Sequence, residues 1–144
     1  MCGFVGFVPA RPGARPDAAL VDAWAADLAH RGPDATGRYE DARGVLVATR
    51  LAIQGDARSD PPLVSGDGRF VVAFNGEILH PAAQSLRRLV AAAGQAVPDP
   101  AAGDGRLLVE SVAALARRPG GLDGPSLLVL LEGGLGAVAV LDRE

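Results

Sequence analysis

The sequence predicts an α+β protein in which helices pack on antiparallel sheet. Segments with strand and helix patterns follow one another as strand, helix, two strands, two helices and strand, an order that favours this class. The chain has 144 residues, of which 49% are hydrophobic and only 4% aromatic. One domain over residues 1–144 is therefore expected, with a core built mainly from Ala, Val and Leu.

The first half of the chain carries two strand patterns and one helix pattern. Residues 2–8, CGFVGFV, are apolar and predict a buried strand. Asp17 is placed to cap a helix, which HRGPDATG at residues 30–37 ends with turn-forming Gly and Pro. Residues 44–53, GVLVATRLAI, predict the second strand. The apolar stripe expected on the helix is Leu20, Trp24 and Leu28, and Val45, Val47 and Thr49 are expected on one face of the strand.

The second half begins with a strand, continues with two helices and closes with strand material. Residues 65–78, SGDGRFVVAFNGEI, predict a turn, a strand and then a glycine turn. Residues 80–94 and 104–118 have helical patterns, and the first is expected to end at Gly94. Residues 127–142, LLVLLEGGLGAVAVLD, are apolar enough for a strand.

Composition excludes several classes of function. The net charge of -3 and the isoelectric point near 5.3 provide no basic stripe for nucleic acid. Glycines and Glu132 interrupt the longest apolar run, which argues against a membrane span, and no secretory signal pattern begins the chain. A single cysteine excludes an internal disulfide and suits the cytoplasm. One cysteine and two separated histidines predict no metal site, and no cofactor is expected.

That single cysteine is Cys2, directly after the start methionine. A free cysteine is commonly a small buried hydrophobic residue, and this interpretation stays open for Cys2. Removal of Met1 would instead give the same residue a thiol nucleophile and a free α-amine. The pKa of an α-amino group is near 8, so the amine can take the thiol proton and later protonate a leaving amine. Gly3 is expected to leave room for a substrate beside the thiol.

An N-terminal nucleophile needs donors that stabilise the oxyanion of its tetrahedral intermediate. The segment FNGEI offers the side-chain amide of Asn75 and the backbone N–H of Gly76. The alternative is an ordinary Asn-Gly hairpin turn between strands.

Four motifs in this order and spacing, MCGFVGF, HRGPDATG, RLAI and FNGEI, resemble the glutaminase domain of class II glutamine amidotransferases. The asparagine synthetase type is the most similar, and the resemblance runs from Cys2 to about Asp142. It implies the N-terminal nucleophile hydrolase fold, a four-layer αββα arrangement in which two antiparallel sheets lie between helices. It also implies hydrolysis of glutamine to glutamate and ammonia, and transfer of the ammonia to a synthetase site.

The resemblance assigns roles to nine residues. The catalytic residues would be Cys2, Asn75 and Gly76, with the amine of Cys2 as the base. The substrate-binding residues would be Arg50, Leu51, Ile53, Gln54, Glu77 and Asp104. Arg50 would bind the α-carboxylate of glutamine, for which its guanidinium is suited, while Glu77 and Asp104 would hold the amino group. The alternatives are a solvated strand-edge residue for Arg50 and a helix N-cap for Asp104. Residues 30–34 are interpreted as a structural loop near the site.

The chain departs from the family pattern at three places. Arg106 stands where an acidic residue is usual, and Leu79 and His80 replace a Tyr-Asn pair. The chain ends at Glu144, so the resemblance implies a fold truncated at its C-terminal end, with no ATP-using synthetase domain. The preferred function is a glutaminase that supplies ammonia to a separate ATP-dependent synthetase chain. The alternatives are a stand-alone amidohydrolase acting on another γ-glutamyl or amide substrate, and a non-catalytic interaction module.

The closing strand also predicts association. An apolar strand near residues 136–141 without a following strand would leave backbone N–H and C=O groups unpaired along its edge. We expect a synthetase subunit or a second copy of the chain to cover this edge.

Overall fold

The computed structural model describes residues 2–53, 55–121 and 134–144. The first part of the predicted closing strand, residues 127–133, and the predicted site residue Gln54 lie outside these ranges.

The described residues form three α-helices and six β-strands. The helices are α1 Ala18–Leu28, α2 His80–Ala92 and α3 Gly103–Ala116. The strands are β1 Gly3–Phe7, β2 Ala35–Asp41, β3 Gly44–Arg50, β4 Leu63–Val64, β5 Phe70–Ile78 and β6 Gly134–Asp142. Two short 3₁₀ turns occupy Ala57–Ser59 and Pro100–Ala102. None of the helices among the described residues is long and apolar enough to cross a membrane.

The strands form two antiparallel three-stranded sheets, in the orders β1-β3-β2 and β4-β5-β6. This confirms the predicted α+β class with antiparallel sheet. The sequence analysis missed β2 and β4. β2 carries Gly37 and three charged side chains instead of an apolar alternation, and β4 has only two residues.

Alternation along β3 decides what lies on each side of the first sheet. Val45 and Val47 share one face, as predicted, and pack against α1, while Leu46 and Ala48 pack against the second sheet. Every residue of β3 is buried, because this central strand is covered on both faces.

Three hydrophobic clusters follow from this arrangement. One lies between α1 and the first sheet and contains Val21, Val45 and Val47. The second lies between the sheets and contains Leu46, Ala48, Val71 and Ala73. The third lies between the second sheet and helices α2 and α3, with Phe70, Val72, Val90, Leu107 and Val112 among its members.

Two of the predictions for β1 and α1 are wrong, and one is confirmed. β1 is a half-buried edge strand rather than a buried one, because it pairs only with β3 among the described strands. Asp17 does cap α1 by accepting the N–H of Ala19 at 2.9 Å. Leu20, however, is 47% exposed, and Val21 takes the inward position instead.

The predicted glycine turn after Phe74 is also absent. Asn75 and Gly76 continue β5 and pair with Ala137 and Gly136 of β6. The strand therefore runs to Ile78, and the Asn-Gly hairpin interpretation does not apply. A glycine at 136 permits this pairing, since a Cβ there would lie 2.2 Å from the carbonyl oxygen of Asn75.

Candidate active site

A cavity of about 350 Å³ opens at one end of the two sheets. Its wall contains every predicted site residue that the structure describes, namely Cys2, Arg50, Leu51, Ile53, Asn75, Gly76, Glu77 and Asp104. Ser59, Pro61, Leu63, Phe74 and Gly105 complete the wall. We call this space the Cys2 cavity.

Strand alternation explains why residues distant in the sequence meet at this cavity. Ala48 faces the second sheet, so Arg50, two residues further along β3, shares that face. Ala73 faces the first sheet, so Asn75 shares its face of β5. Cys2 directly precedes β1, the neighbour of β3.

Cys2 is half-buried on the cavity wall and is held through its backbone. Its carbonyl oxygen accepts a hydrogen bond from Nε of Arg31 at 3.2 Å, and its thiol lies 4.0 Å from the carbonyl oxygen of Leu51. The thiol therefore borders a space large enough for a small substrate, unlike that of a cysteine enclosed in the core.

The expected role of Gly3 in admitting a substrate is wrong. A Cβ at Gly3 would lie 3.0 Å from the side chains of Arg31 and Leu28. The glycine thus makes room for Arg31, the side chain that holds the Cys2 carbonyl. Sequence reasoning treated Arg31 only as part of a loop and missed this contact.

Arg50 ends the central strand of the first sheet and is 7% exposed, so it is not a solvated strand-edge residue. Its Nη1 donates to Oδ1 of Asp60 at 2.7 Å. Its Nη2 donates to the carbonyl oxygen of Gly55 at 2.8 Å. The guanidinium is thus fixed at the cavity wall, and a carboxylate of the protein already contacts it.

The loop between α1 and β2 supports this end of β3, as predicted. The N–H of Asp34 donates to the carbonyl oxygen of Arg50 at 3.1 Å, and its carboxylate accepts the N–H of Ala52 at 2.7 Å. Gly32 packs so closely that a Cβ would lie 2.5 Å from the backbone nitrogen of Arg50. His30 is exposed and does not line the Cys2 cavity.

Asp104 joins α3 to the end of β5. Its Oδ2 accepts the N–H of Ile78 at 2.8 Å, which fixes the segment that contains Gly76 and Glu77. The alternative of a helix N-cap is wrong, because Ala102 holds the cap position and Asp104 lies in the first turn.

The unusual Arg106 points away from the Cys2 cavity. Its Nη1 donates to the carbonyl oxygen of Val64 at 2.7 Å and lies 3.6 Å from Oε1 of Glu110. Arg106 and Glu110 border a second, larger cavity of about 630 Å³ whose wall contains none of the predicted site residues. The described residues contain no group of three His, Cys, Asp or Glu that could hold a metal ion.

The model of one family, described as a glutamine amidotransferase domain, matches residues 1–114 of the chain. The chain belongs to this family. The match contains Cys2, Arg50, Asn75, Gly76 and Asp104, so the glutamine amidotransferase domain includes the described wall of the Cys2 cavity.

Curated relatives of this amidotransferase domain carry asparagine synthetase names. It is 35% identical over 78 residues to asparagine synthetase [glutamine-hydrolyzing] 1 of Arabidopsis thaliana, covering 54% of the chain and 13% of that protein. It is 47% identical over 51 residues to a probable asparagine synthetase [glutamine-hydrolyzing] of Schizosaccharomyces pombe, covering 35% and 9%. A Dictyostelium discoideum relative of the same description is 37% identical over 68 residues, covering 47% and 12%. The matched part thus spans only a small fraction of each relative's length.

Proposed function

We propose that this domain hydrolyses glutamine to glutamate and ammonia with the thiolate of Cys2 as nucleophile. The observation that carries the proposal is the Cys2 cavity itself. A thiol, a buried guanidinium, an Asn-Gly pair and a carboxylate line one space and come from two sheets and a helix.

In the proposed first half-reaction, Sγ of Cys2 attacks the side-chain amide carbon of glutamine. The α-amine of Cys2, free once Met1 is removed, accepts the thiol proton and passes it to the leaving nitrogen. The Asn75 amide and the Gly76 N–H stabilise the oxyanion. The C–N bond then breaks, leaving ammonia and a γ-glutamyl thioester.

In the second half-reaction, water attacks the thioester carbon and the same amine takes its proton. The C–S bond breaks, the thiol is restored and glutamate leaves. Without an added oxidant or metal, the reaction balances as glutamine plus water giving glutamate plus ammonia.

The charged groups of the cavity are the proposed partners for the two ends of the substrate zwitterion. Arg50 would bind the α-carboxylate, and Asp104 with Glu77 would hold the ammonium group. Leu51 and Ile53 would contact the substrate through backbone or apolar surface. The role of Gln54 in this lining stays a prediction.

We also propose the four-layer αββα arrangement of N-terminal nucleophile hydrolases for this domain. Two antiparallel sheets and the three hydrophobic clusters support it, since one cluster lies between the sheets and the others lie between a sheet and helices.

The proposed ammonia acceptor is the ATP-using site of a synthetase. The relatives' descriptions as asparagine synthetase [glutamine-hydrolyzing] support this class of acceptor. We expect the site to lie on a separate chain, and we expect both proteins to be cytoplasmic. The domain over residues 1–144 would then act as the glutaminase unit.

The test is ammonia release from glutamine by the chain and by its Cys2→Ala variant. Cys2→Ala should abolish release while circular dichroism and the unfolding midpoint stay unchanged, because only a sulfur atom is lost from a half-buried side chain. Intact mass should show that Met1 is absent, because a blocked nitrogen cannot serve as the base.

Three results would contradict the proposal. An active preparation that keeps Met1 excludes the amine base, and an active Cys2→Ala variant excludes the nucleophile. If the chain hydrolyses another γ-glutamyl amide but not glutamine, it is an amidohydrolase of different specificity.

A further inference from the structure

Asp60 is hydrogen-bonded to Arg50, the residue that the proposed function assigns to the substrate carboxylate. Its Oδ1 accepts from Nη1 of Arg50 at 2.7 Å. The side chain of Arg50 is 9% exposed and that of Asp60 is 43% exposed. One partner is therefore fixed in the wall, while the other keeps contact with solvent.

The backbone holds Asp60 at this position. Its N–H donates to the carbonyl oxygen of Ala57 and closes the 3₁₀ turn Ala57–Ser59. The hydroxyl of Ser59 donates to the carbonyl oxygen of Ala102, just before α3. The contact with Arg50 is thus built into a turn that is anchored at the Cys2 cavity.

This arrangement conflicts with tight binding of an α-carboxylate. Both terminal nitrogens of the Arg50 guanidinium already donate to protein acceptors, Asp60 on one and Gly55 on the other. A substrate carboxylate must share or displace these bonds and approach a second negative charge. Like charges in such proximity repel, most strongly where water is partly excluded.

We propose that Asp60 is a specificity-determining residue that makes ligand binding in the Cys2 cavity less dependent on a free α-carboxylate. This inference rests on the proposed function. With Arg50 paired to Asp60, the other ionisable side chains on the described wall, besides the Cys2 thiol, are the carboxylates of Glu77 and Asp104. Such a wall favours a γ-carboxamide that has a free amino group and an amidated α-carboxyl group. An N-terminal glutaminyl residue of a peptide has this chemistry, and L-glutaminamide is its simplest form.

The experiment measures binding by titration calorimetry in a Cys2→Ala background, so that no ligand is consumed. L-glutamine and L-glutaminamide are titrated into the chain with Asp60 and into the chain with Asp60→Asn. Asp60→Asn should lower the Kd for glutamine about fivefold, as expected when a half-exposed like charge is removed. The Kd for glutaminamide should change less than about twofold, because that ligand has no carboxylate to repel.

Asp22→Asn is the matched control. It makes the same chemical change on α1, at a side chain that is 77% exposed and is hydrogen-bonded to Arg38 instead of Arg50. It should leave both Kd values unchanged. Asp60→Ala provides a second neutral variant in case the asparagine variant does not fold.

The outcomes separate this inference from the proposed function. Weaker glutamine binding in Asp60→Asn would mean that Asp60 only positions Arg50, and equal tightening of both ligands would mean a general charge effect. Either result, or no measurable binding of either ligand by any variant, overturns the inference. Ammonia release is measured separately with Cys2 intact. A glutamine-selective gain in affinity without ammonia release supports the inference and contradicts the proposed glutamine hydrolysis. Ammonia release without a glutamine-selective gain in affinity contradicts the inference alone.

Discussion

At the scale of single residues, the site depends on which face of a strand a side chain takes. Arg50 and Asn75 reach the Cys2 cavity because each lies two positions after an alanine of the inter-sheet cluster. A shift of one residue would turn either side chain to the opposite face of its sheet. The register of each strand therefore determines which side chains line the cavity.

Alanine substitution of Asn75 and of Arg50 should change different kinetic parameters. Asn75→Ala should lower kcat for glutamine about 100-fold with little change in KM, since an oxyanion donor acts mainly in the transition state. Arg50→Ala should instead raise KM, because it removes a ground-state contact with the substrate. Steady-state ammonia release over a range of glutamine concentrations separates the two effects. A variant of Asn75 that changed KM alone would contradict its oxyanion role.

The cavity residues were within reach of sequence reasoning, but their partners were not. Four short motifs identified Cys2, Arg50 and Asn75, and the structure brings these residues to one cavity. Asp60 carries no motif, and its contact with Arg50 exists only because the chain returns through a 3₁₀ turn. An acidic residue a short distance after the candidate arginine was the available signal.

At the scale of elements, the sequence predicted the elements with clear periodicity and missed those held by tertiary contacts. All three helices were expected near their observed positions, because their apolar positions recur at helical spacing. β2 was missed because pairing with β3, rather than an apolar pattern, forms it. The predicted turn at Asn75 and Gly76 gave way to β5 because β6 pairs along the whole segment.

Arg69 joins β5 to the far end of β6, and this link should make stability depend on pH. Nε and Nη2 of Arg69 donate to the two carboxylate oxygens of Asp142 at 2.9 and 2.8 Å. These bonds lower the pKa of Asp142 below its ordinary value of 3.8. A lowered folded-state pKa means that the contribution is present above about pH 4 and is lost as the pH falls through the folded pKa.

Asp142→Asn should lower the free energy of unfolding by about 0.5 kcal/mol at pH 7, the scale of a partly exposed ion pair. The difference from the unsubstituted chain should shrink as the pH falls below about 4. Urea unfolding at several pH values between 7 and 2 measures this. Asp22→Asn is the control, since its contact with Arg38 is longer, at 3.4 Å, and highly exposed. A difference that stayed constant to pH 2 would contradict the role of the ion pair.

At the scale of the whole molecule, one edge of the second sheet is a candidate for association. Among the described strands, β6 pairs only with β5, and its other edge has no described strand beside it. Backbone groups along such an edge favour pairing with another chain. The second sheet also contributes Asn75 and Gly76 to the Cys2 cavity. A partner bound at the β6 edge would therefore contact the same sheet that lines the proposed site of ammonia formation.

The purified chain should therefore associate, with itself or with an ATP-using synthetase that copurifies from its native source. Light scattering at micromolar concentration, with and without the copurified partner, measures this association. Glutaminase assays on the same samples should show weak activity for the chain alone and higher activity in the complex. A monomer with full activity on its own would contradict the expectation.

The division of the Cys2 cavity between two sheets constrains how the interior can vary. Arg50 belongs to the first sheet and Asn75 to the second, so the distance between the sheets sets the width of the cavity. Small side chains such as Ala48 and Ala73 keep the sheets close. Larger residues there would force the sheets apart even where enough apolar contact remained to hold the fold. Enlarging Ala48 or Ala73 is therefore expected to impair turnover before it prevents folding.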